Sequence, residues 1–159
     1  MLVVLPLGLF IAAVVFDALY LWRGTPAFAS VGYWNIAGGV IGGLVAAVFG
    51  AIDLYNIPSG TRAKRIGLLH GATNVLVVLM FAAAWVLRTS APEPTPTITT
   101  FALQLVALGF GSVAGWLGGE LVNRLGVGVD DGAHLDAPSS LSEEPARPAT
   151  VTTHHRRAS

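Results

Sequence analysis

The sequence predicts an all-α integral membrane protein: a bundle of four helices with short connections and a disordered C-terminal tail. Three observations predict it. The 159-residue chain is 53% apolar and only 11% charged, with a mean hydropathy of +0.67, whereas a soluble domain carries about 25% charged residues. Four apolar runs are present, each of about 20 residues, the length that takes a helix across roughly 30 Å of hydrocarbon. The connections between them are short, which makes successive helices antiparallel neighbours.

The first run covers residues 2–22 and is interrupted only by Asp17. The second, 31–55, carries Asn35 and Asp53; the third, 66–87, carries His70 and Asn74; the fourth, 101–122, carries Gln104 and Glu120. In lipid every backbone donor and acceptor must be satisfied within the segment, so even the glycine-rich runs read as helices. Gly24 and Pro26 punctuate the first connection, and Pro58-Ser59-Gly60 is a turn signal in the second, with Thr61 placed to cap the next helix. Pro92, Pro94 and Pro96 stiffen the third. Residues 1–125 therefore form the membrane domain. Residues 126–159 turn to Asp, Glu, Pro, Ser and Thr, a composition with too little apolar surface to offset its ordering entropy, and read as a disordered tail. Ala27-Phe28-Ala29 resembles a signal-peptidase pattern, but the first run lacks a basic leader and is too long for a signal core, so it reads as a span.

The low charge argues against a soluble enzyme or a nucleic-acid binder. No cysteine is present, which excludes disulfides and thiol catalysis. Lys and Arg set orientation: Arg62, Lys64, Arg65 and Arg124 flank one face, Arg23 and Arg88 the other. That places both termini and the second connection in the cytoplasm. Trp22, Trp34 and Trp85 then share the outer interface as an aromatic belt.

Lipid tails are as apolar as leucine, so membrane helices associate where small residues allow close approach. Gly39, Gly43 and Gly50 form such a stripe on the second run, and Gly111, Gly115 and Gly119 one on the fourth. The expectation is that these two helices form the packed centre, with a homodimer seam as a further use of one stripe. Polar groups should turn inward. Asp53, His70 and Glu120 fall in one layer near the cytoplasmic end, with Asn74 one turn deeper than His70. Arg124 follows Glu120 in the favourable order for an ion pair. At the other end Asp17 and Asn35 lie at a similar level and are expected to hydrogen-bond.

These groups carry little catalytic signal. Ser112 and Thr73 have no evident base partner, and no phosphate-binding loop or dinucleotide fingerprint occurs. No cofactor and no metal site are expected; His70 is the one candidate ligand at membrane depth, since His134, His154 and His155 lie in the tail. Haem b would need two such histidines, hence either two His70 residues brought face to face in a dimer or a further histidine upstream of the first run.

The stretches Leu5-Pro6-Leu7-Gly8, Val15-Phe16-Asp17, Gly50-Ala51-Ile52-Asp53, Pro58-Ser59-Gly60-Thr61-Arg62-Ala63, Leu69-His70-Gly71 with Asn74, and Gly115-Trp116-Leu117-Gly118-Gly119-Glu120-Leu121 with Gly126-Val127-Gly128 resemble domain-of-unknown-function family 2231 over about residues 1–129. The resemblance implies a bacterial four-span inner-membrane protein and no established activity. A His-Pro segment that often precedes the first run in that family has no counterpart here, so no ligand role shared with His70 is implied. The reading that results is a non-enzymatic protein of the bilayer that packs with itself or with another membrane protein. The alternatives are a small redox or proton-handling subunit using His70, Asp53 and Glu120 with haem or a quinone, and a transporter component.

Overall fold

The computed structural model describes residues 4–90 and 94–142. Four helices follow one another: α1 (Val4–Arg23), α2 (Pro26–Asn56), α3 (Arg62–Thr89) and α4 (Ile98–Asn123). Their lengths of 20, 31, 28 and 26 residues, and their composition, suffice to cross a membrane. No strand occurs among the described residues.

Three helices begin earlier than their apolar runs, and the reason is capping chemistry. Thr25 precedes α2 and Pro26 opens it, where the fixed φ of proline suits the first turn and its missing N–H costs nothing. Thr61 accepts from the Lys64 backbone N–H at 3.1 Å and so starts α3 at Arg62. Thr97 and Thr100 cap α4 reciprocally, each side chain bonded to the other's backbone N–H. Hydropathy marks where hydrocarbon begins; these caps mark where the helix begins, in the interface. Gly24 (φ +68°) closes α1 in the left-handed region, its N–H donating to Tyr20 O at 2.7 Å.

Residues 94–97 of the proline-rich linker form no helix or strand, with Thr97 in an extended conformation; 91–93 lie outside the described residues. From 124 to 142 the chain forms turns with no helix or strand, and the rest of the expected tail, 143–159, lies outside the described residues.

The helices form a ring. Each packs against its neighbour in sequence, and α1 closes the ring against α4 most lightly. This corrects the expectation that α2 and α4 form the packed centre, because in a ring of four they stand diagonally. The core is apolar and central: Phe10, Ala13, Val14, Ile36, Val77, Phe81 and Ala107. Phe10 and Phe81 stack with ring centroids 4.0 Å apart and planes 9° from parallel. The exterior is also apolar, with Ile41, Val48, Leu79 and Trp116 each at least 60% exposed. An apolar exterior on this scale is a lipid-facing surface, not one presented to water.

The α2 stripe is used within the bundle. A Cβ at Gly39 would meet the Phe10 ring and one at Gly43 would meet Val78 Cγ2 at 2.7 Å, so these glycines seat α1 and α3 respectively. Gly50, Gly111 and Gly115 have nothing within 4 Å of a Cβ, and Gly119 meets only Asn123 of its own helix.

Candidate functional site

Two polar centres stand at opposite ends of the ring. The first is a closed cluster at the end where α1 and α3 finish. Asp17, Arg88 and Gln104 are 0%, 1% and 0% exposed. Arg88 Nη1 donates to Asp17 Oδ1 at 3.0 Å and to Oδ2 at 2.8 Å. Its Nη2 donates to Ala29 O at 2.8 Å and Pro94 O at 3.0 Å, and its Nε to Pro94 O at 3.1 Å. Five guanidinium N–H groups thus meet five acceptor contacts. Gln104 Nε2 donates to Asp17 Oδ2 at 2.7 Å. The cluster joins α1 (Asp17), α2 (Ala29), α3 (Arg88), α4 (Gln104) and the linker (Pro94). The Tyr33 ring covers it, 5.7 Å from the guanidinium carbon.

Gly32 makes this approach possible. A Cβ there would fall on Asp17 Oδ1. Gln104 Oε1 and Trp85 Nε1 are buried without a hydrogen-bond partner among the described residues.

Asp17 does not pair with Asn35. The half-buried Asn35 amide donates instead to Val31 O of its own helix at 2.8 Å, the local bond such a side chain readily makes on a helix. Sequence reasoning missed Arg88 and Gln104 as partners of Asp17. A signal was present: Arg88 ends the third span, and Gln104 is the first amide of the fourth, both at the level of Asp17.

The second centre lies on the α3–α4 seam. His70 Nδ1 is 2.9 Å from Ala114 O, and His70 Nε2 is 3.2 Å from Asn74 Nδ2. Asn74 Nδ2 also donates to His70 O at 2.9 Å. A carbonyl only accepts, so Nδ1 carries the proton. The second carbonyl fixes the Asn74 amide with its nitrogen toward the ring, so Nε2 accepts. Gly118 gives the ring room, with a Cβ there placed 3.1 Å from His70 Cε1. Nitrogen-15 NMR of the labelled histidine is expected to report the Nδ1–H tautomer; an Nε2–H spectrum would contradict the geometry.

The remaining members of the sequence-predicted layer stand on other partners. Glu120 pairs with Arg62 at 2.5 Å, not with Arg124. Asp53 is exposed on α2 and makes no side-chain bond among the described residues. Lys64 Nζ donates to Leu54 O at 2.6 Å, capping the end of α2. The structure therefore brings His70 and Asn74 together and leaves Asp53 and Glu120 out of their contact. No group of three His, Cys, Asp or Glu side chains suited to a metal ion occurs among the described residues.

A family model described as "Predicted membrane protein (DUF2231)" matches residues 1–131. The chain belongs to this family. The match takes in all four helices and both polar centres, so the fold above is that of a DUF2231 membrane domain. No curated protein and no solved structure matches the chain.

Proposed function

We propose that this DUF2231 protein is a non-enzymatic interaction protein of the bacterial inner membrane, with both termini in the cytoplasm, and that it associates with a second copy of itself through α4. One observation carries the reading. The glycines of α2 are filled by Phe10 and Val78, whereas Gly111 and Gly115 of α4 have open space beside them. Seven and eleven residues on from Gln104, they share the side of α4 whose Gln104 reaches Asp17 of α1, and α4 and α1 are the pair of neighbouring helices that packs most lightly. A stripe of this kind lets another helix approach closely, and because both copies carry it the contact is self-complementary.

The polar interior supports the same reading over a proton-handling one. Both His70 ring nitrogens are engaged within the α3–α4 seam, and the guanidinium of Arg88 is fully bonded within its own chain. The orientation draws support from Arg88 as well. Buried on Asp17, it leaves Arg23 as the exposed arginine of its face among the described residues, against Arg62, Arg65 and Arg124 on the other.

Gly115→Leu is the test. In mild detergent, sedimentation of the full chain is expected to show a dimer for the parent and a monomer for the variant, with helical content unchanged. The same oligomeric state for both would remove the α4 seam.

A further inference from the structure

We infer that the corner where α3 begins and α4 ends binds the phosphate of an anionic phospholipid, held by Arg65 and Arg124. Four cations stand at these two helix ends, Arg62, Lys64 and Arg65 in the first turn of α3 and Arg124 at the C-cap of α4, and two are engaged: Arg62 on Glu120 and Lys64 on the Leu54 carbonyl. Arg65 and Arg124 are exposed and have no ion-pair partner among the described residues. Arg65 lies one turn along α3 from Arg62, and Arg124 one turn along α4 from Glu120, so each stands within a turn of the Arg62–Glu120 pair that joins the two helices. The carboxylates near this end form no ion pair with them among the described residues. Glu120 is held by Arg62; Asp53 is exposed on α2; Asp130, Asp131 and Asp136, in the turns after α4, form no ion pair with either arginine.

The surface beside the charge identifies the kind of anion. Trp116, one turn before Glu120 on the same face of α4, is 68% exposed, and Leu69, one turn beyond Arg65 on α3, is 55% exposed. A phosphate at the arginines would leave acyl chains lying along these apolar groups. A soluble anion would use the charge and none of the apolar surface. The opposite end of the bundle offers no such pair: Arg23 stacks on Trp22 at 4.3 Å, and the donors of Arg88 are all engaged inside. Juxtamembrane cations attract anionic headgroups by about 1 kcal/mol each, so two with no protein counter-ion make a preferred position.

Native mass spectrometry of the full chain, with phosphatidylglycerol and phosphatidylcholine supplied together, tests this. The parent is expected to retain phosphatidylglycerol preferentially. Arg65→Gln with Arg124→Gln should reduce that retention by about fivefold for each arginine removed, the factor equivalent to about 1 kcal/mol per cation. Arg23→Gln should leave it unchanged. Inorganic phosphate in excess should not displace the lipid. Equal retention by parent and double variant would overturn the assignment, as would displacement by inorganic phosphate, which would give the corner to a soluble anion. Both arginines are exposed, and unchanged helical content by circular dichroism shows that the comparison is between folded proteins.

Discussion

Asp17→Ala is expected to destabilise the folded bundle by about 3–5 kcal/mol, the cost of stranding one partner of a buried ion pair, and Arg88→Leu by a similar amount. The two effects should not add. With Asp17 gone, Arg88 keeps Ala29 O and Pro94 O as acceptors but has no counter-charge. With Arg88 gone, Asp17 keeps only the Gln104 amide. Removing both leaves no charge to strand, so the double variant is expected to be more stable than either single one, although it has lost more atoms. This follows from non-additivity within one network. Arg88→Lys should fail as well. An ammonium group has three donors and no planar fork, and cannot span a carboxylate and two carbonyls at once. Exchanging the charges, Asp17→Arg with Arg88→Asp, should also fail, because a carboxylate at 88 would face the Ala29 and Pro94 carbonyls that the guanidinium now satisfies. Unfolding by titration of sodium dodecyl sulfate into mild-detergent micelles ranks these variants. Additive losses in the double variant would show that the pair is not coupled.

How much of this arrangement was legible beforehand depended on the range of the physics involved. Spans were legible because hydrocarbon imposes one rule on every residue of a run. Thr61 was legible as a cap because the bond it makes reaches only to Lys64. Thr97 is not legible as a cap in the same way, since it stands among the threonines and prolines of the linker and only the reciprocal bonds with Thr100 single it out. The inward turn of Asp17 followed from cost alone. Its partners did not, because a ring of four helices offers each side chain two neighbouring helices and one diagonal. The sequence carries no statement of which helix is diagonal. The same gap explains the glycines. Spacing put Gly39 and Gly111 on stripes of one kind, yet one meets the Phe10 ring and the other open space. The four-residue spacing of His70 and Asn74 puts them on one face of α3, and that local relation is the one the structure joins by a bond.

Gly32→Ala is the second large effect, and the smaller the added group, the more the result says. One methyl at Gly32 would occupy the place of Asp17 Oδ1. Two responses are available to the bundle. The carboxylate swings away, which loosens its bonds to Arg88 at 3.0 and 2.8 Å and to Gln104 at 2.7 Å. Otherwise α1 and α2 separate along the seam that Gly39 and Phe10 also share. The first removes much of a buried charge pair's compensation and the second opens the core around Phe10 and Phe81. Either costs about 3 kcal/mol, the low end of the range for breaking such a pair. Alanine is the best helix former and glycine a poor one, so in the absence of a neighbour the same change would stabilise α2 by roughly 0.5–1 kcal/mol. Gly50→Ala supplies that control on the same helix, since a Cβ there meets nothing within 4 Å. The expected result is therefore opposite signs for one substitution at two positions of α2: Gly32→Ala unfolds at lower denaturant than the parent, and Gly50→Ala at equal or higher. Equal behaviour of the two would mean that Asp17 does not press against α2.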